Sequence, residues 1–211
     1  MNIQTVLEAL KKNHMEAYYV ETKEEVVPLV KELMPEGSTV SVGGSQTVKE
    51  TGVMDLLKSG YYNFLDRSAE GITPEEIRKV YEQTFAADGF FGSANAITEK
   101  GELVNVDGNA NRIAALTFGP KSVIVIAGVN KIVPDLEAAI RRIKTIAAPA
   151  NAQRLSCDTY CRETGHCLGL DGDMTDGCSS PQRICCSYLV QGPQRQAGRI
   201  KVILVNETLG Y

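Results

Sequence analysis

The sequence lacks any apolar run approaching the roughly 20 residues of a membrane-spanning helix, and its start, MNIQTVLEALKKN, has no apolar segment typical of a secretory signal. It also lacks an excess of positive charge, since 22 Lys and Arg stand against 26 Asp and Glu. Proteins that bind nucleic acid non-specifically through its phosphates normally carry the opposite sign. We therefore expect a cytoplasmic protein with no membrane span and no nucleic-acid partner.

The 211 residues, 43% hydrophobic and 23% charged, are ordinary for a globular domain with one sizeable core. Strand-like apolar segments at 17–20, 38–42, 123–126 and 200–205 alternate with amphipathic helical patterns. This alternation predicts an α/β fold in three layers, a largely parallel sheet with helices on both faces. We expect one domain over residues 1–211, with a cysteine-rich segment of no clear periodicity at 151–198.

Besides the opening helix, three helices are indicated by their starts or their apolar stripes. The run Thr73-Pro74-Glu75-Glu76 predicts an N-cap threonine, a proline at the first helical position and a capping glutamate. Thr22 and Glu25 also predict a capping box, but Pro28 indicates that this helix kinks or begins later. A third helix is predicted from 135 to 148.

A glycine-rich loop, Ser41-Val42-Gly43-Gly44-Ser45-Gln46-Thr47, lies where a strand passes into a helix. Two glycines allow a ligand to approach the backbone closely, and hydroxyls at a helix start favour an anion. The spacing matches neither a dinucleotide-binding fingerprint nor a Walker A loop. The loop therefore predicts either an anion site at Gly43, Gly44, Ser45 and Thr47 or a tight turn with Ser45 as N-cap.

A polar hairpin is predicted from about Phe90 to Asp107, with Glu99-Lys100-Gly101 as a three-residue loop whose glycine takes the left-handed position. This register pairs Asn95 with Asn105 and Ser93 with Asp107 on one face of the hairpin. A two-residue loop would place these polar groups on opposite faces instead.

The next residues, Asp107-Gly108-Asn109-Ala110-Asn111-Arg112, add polar groups beside that face. Asn and Asp are poor strand formers, so they indicate either a site for a small polar or anionic molecule or Asx turns at a strand end. Polar groups from two segments converge here, which favours the site. Asn109, Asn111 and Arg112 would bind the ligand, with Arg112 as the clamp for carboxylate or phosphate. Glu99, Glu102 and Asp107 are candidate proton acceptors, and Glu99 and Asp107 are taken as the catalytic residues.

All six cysteines fall between Cys157 and Cys186, in the order Cys157-x3-Cys161-x5-Cys167-x10-Cys178-x6-Cys185-Cys186. The absence of a C-x-x-C pair argues against a thioredoxin-type motif or a common zinc ribbon. Four thiolates from a loop-rich segment can still bind zinc or an iron–sulfur cluster. The alternative is a set of buried, inert thiols.

Taken together, these segments resemble the LUD domain family, which is named for lactate utilisation. The matching stretches are SVGGSQTVKETG (41–52), DGFFGSANAITEKGELVNVDGNANR (88–112), FGPKSVIVIAGVNKIV (118–133), AAPANAQRL (147–155) and RIKVILVNETLGY (199–211). The resemblance covers nearly the whole chain and is greatest to the stand-alone branch with a C-terminal cysteine motif.

The resemblance implies four metal ligands in this sequence, Cys161, Cys167, Cys178 and Cys185. The branch's usual tail is similar to P-C-x5-C-x2-C-x6-C. Here Tyr160 replaces the proline, and ten residues rather than two separate the second and third cysteines. The implied fold resembles ribose-5-phosphate isomerases and CoA transferases, which hold phosphate or acyl-carrying ligands on a loop similar to Gly44-Ser45-x-Thr47.

Three functions are therefore open. The first is an oxidoreductase component of lactate-type acid oxidation that binds a small anionic substrate, carries a cysteine-bound iron–sulfur cluster and works beside iron–sulfur partner proteins. The second is an isomerase- or transferase-like enzyme for a phosphorylated or CoA-linked ligand, with structural zinc. The third is a non-catalytic redox accessory or sensor protein.

Overall fold

The computed structural model describes residues 2–211. The strands are β1 (Glu16–Val20), β2 (Thr39–Val42), β3 (Asn63–Phe64), β4 (Gly89–Gly92), β5 (Ala96–Thr98), β6 (Leu103–Asp107), β7 (Ser122–Gly128), β8 (Ile132–Val133), β9 (Ser187–Gln191) and β10 (Ile200–Val205). The α-helices are α1 (Ile3–Lys12), α2 (Val26–Leu33), α3 (Gln46–Glu50), α4 (Val53–Lys58), α5 (Pro74–Thr84), α6 (Asn111–Thr117), α7 (Leu136–Arg142), α8 (Ala148–Arg154) and α9 (Tyr160–Thr164).

Six strands form a parallel central sheet in the order β1-β10-β7-β4-β2-β3. Its middle strands are apolar on both faces because both faces are covered. On one face, Val40, Ile124 and Ile203 pack with residues of α2 and α4. On the other, Val123 and Val202 pack with residues of α1, α6 and a second sheet. The predicted α/β fold, a mainly parallel sheet flanked by helices, is confirmed.

A second sheet of four strands, in the order β8-β5-β6-β9, is not indicated by the sequence pattern. The β5–β6 hairpin has the predicted register, since Ala96 pairs with Val104 and Ile97 with Leu103. Gly101 has a φ of 74°, as a three-residue loop requires. The predicted extent of the hairpin was too long, because residues 89–92 belong to the central sheet and the chain changes sheets at 93–95.

The helix predicted to span 135–148 continues to Arg154 as α7, a π-helical turn and α8. The π turn covers Ile143–Ala147 and includes a bond from the N–H of Ala148 to the carbonyl of Ile143. It ends two residues before Pro149, which has no N–H to donate, so the regular ladder of hydrogen bonds cannot continue there.

The two predicted capping boxes had different outcomes. Thr73 and Glu76 form the full box at the start of α5. Thr22 does not cap the backbone, because the chain first forms a 3-10 turn at Lys23–Glu25, and α2 begins at Val26. This later start places Pro28 in the first turn of α2, where a missing N–H has no cost.

The cysteine-rich segment has some regular structure. It contains part of α8, the short helix α9 and the strand β9, which pairs antiparallel with β6 over residues 103–107. This pairing attaches the segment to the second sheet next to Asp107. Among residues 2–211, no helix has the length and apolar character needed to cross a membrane.

Candidate functional site

A cavity of about 310 Å³ opens at the carboxyl ends of adjacent strands of the central sheet. Ligands of parallel α/β sheets typically bind at this edge. The chain reaches the cavity through the loop after β2, the crossover after β4 and the turn after β7. Nine of the residues predicted as ligand-binding or catalytic line it, namely Gly44, Ser45, Thr47, Ser93, Asn95, Asp107, Asn109, Asn111 and Arg112.

The glycine loop contributes hydroxyls to the cavity. Ser45 is the N-cap of α3, where its Oγ accepts a hydrogen bond from the N–H of Val48 at 3.3 Å. The capping alternative and a ligand role are compatible, because accepting this bond leaves the Ser45 hydroxyl hydrogen free to donate. Thr47 is fully buried and donates to the carbonyl of Leu209 at 3.3 Å.

The guanidinium of Arg112 is held by hydrogen bonds to other groups of the protein. It donates to Asp107 Oδ1 (3.0 Å), the carbonyl of Ser93 (3.2 Å) and Asn95 Oδ1 (3.1 Å), and also to Asn105 Oδ1 and the carbonyl of Val106. With these bonds its guanidinium organises the hairpin and the Asp107 loop. Its expected part as a ligand clamp therefore stays a prediction, and a ligand would have to compete with Asp107 for the cation.

Gly43 does not line the cavity, but it makes the Arg112 position accessible. A Cβ atom on Gly43 would lie 2.8 Å from Cδ of Arg112, so only glycine lets the arginine stem pass. Asn105 is buried beneath the cavity and binds Arg112.

Glu99 lies apart from these groups, exposed at the hairpin turn with its N–H bonded to the carbonyl of Val133. It does not line the cavity. The geometry therefore offers no support for its predicted catalytic role, whereas Asp107 lies in the cavity wall but is already paired with Arg112 at 2.9 Å.

Lys131 is one of the residues of this site that were not predicted from the sequence. It follows β7 in a 3-10 turn, and only 3% of it is exposed. Its Nζ donates to Oγ1 of Thr47 at 2.9 Å and to Oγ of Ser93 at 3.0 Å. Among residues 2–211, no Asp or Glu oxygen comes within 4.0 Å of this amine.

The surroundings of Lys131 disfavour its charged form. The pKa of Lys131 is lowered to about 7, chiefly by burial and then by the guanidiniums of Arg142 and Arg112. Glu50 has a smaller effect in the opposite direction. Burial also lowers the pKa of Arg142, which donates to the carbonyl of Asn95 at 2.6 Å. The cavity wall thus contains a buried amine with neighbouring cations and no paired carboxylate.

Two further arginines stand at the glycine loop. A Cβ atom on Gly44 would lie 3.2 Å from Nη2 of Arg67 and 3.9 Å from Nη2 of Arg154. Arg67 is oriented by Tyr81, whose hydroxyl accepts its hydrogen bond at 2.9 Å, and Arg154 by Asn151 and Tyr211. No feature of the sequence marks these two arginines. Lys131 could have been found, because it lies three residues after the end of the buried strand β7.

The cysteine-rich segment forms a second, smaller cavity of about 10 Å³. Its lining includes the four cysteines that the resemblance implied, Cys161, Cys167, Cys178 and Cys185. The other two, Cys157 and Cys186, do not line it, and Cys186 is exposed. All six are free thiols.

The ligand types of this cavity suit a metal centre, but the present geometry does not. Four thiols match zinc or an iron–sulfur cluster in number and chemistry. Nevertheless, no three His, Cys, Asp or Glu side chains within residues 2–211 are arranged to hold a metal ion. The cavity has room for about one water-sized particle. A single ion would therefore need side-chain rotation, and a cluster would need the 167–178 loop to move outward.

Buried polar contacts hold this loop to the body of the protein. Lys144 is 2% exposed and donates to the carbonyls of Asp173 (2.7 Å) and Gly172 (3.3 Å), and also to that of Gly169. Arg183 donates to the carbonyl of Cys178 at 3.0 Å and to Sγ of Cys185 at 3.2 Å. Burial raises the pKa of the Cys185 thiol, although Arg183 opposes this shift.

Comparison with known proteins agrees with the sequence resemblance. The LUD domain family matches residues 3–205, and the chain belongs to that family. A DUF162 family protein from Deinococcus radiodurans has a similar crystal structure, with a TM-score of 0.52 and 11% identity over 96% of this chain and 95% of that chain. At this identity the similarity shows the fold alone. No curated protein matches the chain.

A weaker similarity, to the crystal structure of eIF2B beta from Chaetomium thermophilum, has a TM-score of 0.37 at 13% identity. It covers 63% of this chain and 47% of that chain. A similarity this weak does not establish a shared fold.

Proposed function

We propose that this LUD domain protein binds a small organic acid of the 2-hydroxy or 2-oxo class in the 310 Å³ cavity, as a component of lactate-type acid oxidation. The observation that carries the proposal is the amine of Lys131, buried in the cavity wall without a carboxylate partner. An amine buried in this way keeps its charge only when a counter-ion lies beside it. A carboxylate ligand would supply it.

The charge of the cavity lining supports an anionic ligand. The lining contains four basic side chains, Arg67, Arg112, Lys131 and Arg154, and a single acidic side chain, Asp107. Since Asp107 is paired with Arg112, the remaining cations face the space without an acidic side chain among them. Hydroxyls from Ser45 and amides from Asn109 and Asn111 complete a wall that can orient a carboxylate by hydrogen bonds.

The cysteine segment belongs to the same proposal as a metal centre held by Cys161, Cys167, Cys178 and Cys185. An iron–sulfur cluster there would relay electrons from substrate oxidation to a partner protein, whereas zinc would only hold the loop in place. Anaerobic purification followed by elemental analysis and an optical spectrum separates the two. We expect either iron with visible charge-transfer absorption or zinc without it, and a metal-free protein with full stability would overturn this part.

The test of the anion site is a calorimetric titration with L-lactate and pyruvate beside L-lactamide, a neutral analogue of lactate. We expect the acids to bind and the amide not to bind, because only the acids carry the counter-charge. The site variant is Ser93→Ala, which removes one hydrogen-bond partner of Lys131 and should weaken binding of the acids. Its control is Ser59→Ala, on the surface at the end of α4, which should leave binding unchanged. Equal binding of lactate and lactamide would contradict the proposal.

A phosphorylated or CoA-linked ligand is a second candidate, favoured by the position of Arg67 and Arg154 over Gly44. Guanidiniums beside a glycine–serine–threonine loop match the chemistry of a phosphate site. Inorganic phosphate should then compete with L-lactate in the titration, and Arg67→Gln should abolish that competition. If phosphate does not compete, this candidate is excluded.

A further inference from the structure

We propose that Lys131 is a covalent catalytic residue, whose amine condenses with the carbonyl group of a 2-oxo acid bound in the cavity to form an iminium ion. This inference rests on the anion site proposed above and specifies a carbonyl-bearing substrate for it. It assigns Lys131 the part of a nucleophile in addition to that of a counter-charge.

The hydrogen bonds of Lys131 leave its lone pair available. Nζ has two partners, Oγ1 of Thr47 and Oγ of Ser93, and each hydroxyl donates its own hydrogen to a carbonyl, of Leu209 and Ala94 respectively. Both hydroxyls therefore act as acceptors toward Lys131, which must donate twice. A neutral amine has two N–H groups and one lone pair, so this pattern satisfies its donors and leaves the lone pair unused.

The amine also lies where a nucleophile is required. Thr47, Ser93 and Lys131 all line the cavity, at the carboxyl edge of the central sheet. Burial and the cations Arg112 and Arg142 favour the unprotonated amine, which is the form that attacks a carbonyl carbon. No carboxylate of the described residues forms an ion pair with Lys131 that would keep it protonated.

The reaction is a condensation that needs no oxidant or reductant. The Lys131 lone pair forms a bond to the carbonyl carbon while the C–O π electrons move to oxygen. That oxygen takes up the two protons that the lysine ammonium gives up, the first before attack and the second after it, and leaves as water. The product is a carbon–nitrogen double bond whose nitrogen keeps one proton and a positive charge, beside the carboxylate of the bound acid.

The experiment traps the iminium ion with a reductant. The 211-residue protein is incubated with pyruvate and sodium borohydride, which converts the iminium ion to a stable amine, and the adduct is located by intact mass and peptide mapping. L-Lactate, which has no carbonyl group, is the ligand control. We expect a single adduct on Lys131 with pyruvate and none with L-lactate. In Lys131→Arg the amount of adduct should fall by about tenfold or more.

The variant Lys201→Arg is the protein control, since Lys201 lies in β10 at a distance from the cavity lining and should not change labelling. Should Lys131→Arg fail to fold, peptide mapping of the wild-type adduct still identifies the modified lysine. Labelling spread over exposed lysines, or an adduct at any other single lysine, overturns the inference.

Thermal shifts with both acids distinguish the two proposals. If pyruvate and L-lactate both raise the melting temperature and no adduct forms, the covalent role is wrong and the anion site stands. If neither acid shifts the melting temperature and no adduct forms, both proposals are wrong.

Discussion

Replacing Lys131 with methionine should stabilise the protein at neutral pH, which is the opposite of the usual effect of a core substitution. Methionine nearly keeps the apolar volume of the side chain and removes only the buried amine. The wild-type protein holds that amine at 3% exposure with a pKa of about 7, whereas its ordinary value is 10.5. Folding at neutral pH must therefore either remove a proton from this amine or bury its charge. Both cost free energy of folding, and the methionine variant avoids that cost.

The size of the effect follows from the two pKa values. At pH 7 the unfolded chain keeps Lys131 protonated and the native state is half protonated, which costs the wild type about 4 kcal/mol. The variant loses hydrogen bonds to Thr47 and Ser93, each worth about 1 kcal/mol. The expected net gain in the free energy of unfolding is about 2 kcal/mol.

The stability gained in Lys131→Met should decrease as pH rises. Between pH 7 and 10.5 the unfolded state binds more protons at Lys131 than the native state, so the wild type becomes more stable as pH rises through this window. The cost is fully present below pH 7 and absent above 10.5. From pH 7 to 9 the advantage of the variant should shrink by about 2 kcal/mol.

The assay is urea denaturation of wild type and Lys131→Met at pH 7 and pH 9. Lys201→Met is the matched control, because Lys201 lies 3.6 Å from the carboxylate of Glu16 and its removal should not stabilise the protein. If Lys131→Met is less stable than the wild type at pH 7, with the same difference at pH 9, Lys131 is an ordinary structural lysine and the reasoning is refuted.

Two other predictions have matched controls. Gly101→Ala should destabilise by more than Gly60→Ala in urea denaturation, because both glycines have positive φ but only at Gly101 would a Cβ lie 2.7 Å from the backbone of α1. We expect about 1 kcal/mol for Gly60→Ala and several for Gly101→Ala, and equal costs would disprove close packing of the hairpin on α1. Cys178→Ser should lower both bound metal and melting temperature, while Cys186→Ser should change neither; unchanged metal content in Cys178→Ser would exclude it as a ligand.

Local chemistry accounts for much of what could be predicted. The register of the β5–β6 hairpin follows from the left-handed Gly101 and from side-chain parity, both of which depend on a few neighbouring residues. The capping box at Thr73 is equally local. The box expected at Thr22 failed because the chain formed a 3-10 turn there, so a local signal was overridden by the path of the chain into α2.

The site shows where local reasoning stops. The glycine loop and the polar hairpin could be identified separately, since each carries polar residues in an unusual pattern. That Arg112 would be held by Asp107 and Asn105 depends on how the hairpin meets α6. Likewise, the resemblance implied four cysteines, but only the folded loop places them around one cavity and leaves Cys186 outside.

The amino-acid sequence by itself determined the alternation of strands and helices, the hairpin register and the membership in the LUD domain family, because each of these is encoded by neighbouring residues or by a long matching pattern. The tertiary structure alone decided that Lys131 stands beside Thr47 and Ser93, which are 84 and 38 residues away in the chain. The parallel order β7-β4-β2 brings the ends of distant strands to one edge of the sheet. The desolvation that lowers the pKa of Lys131 exists only where those ends meet.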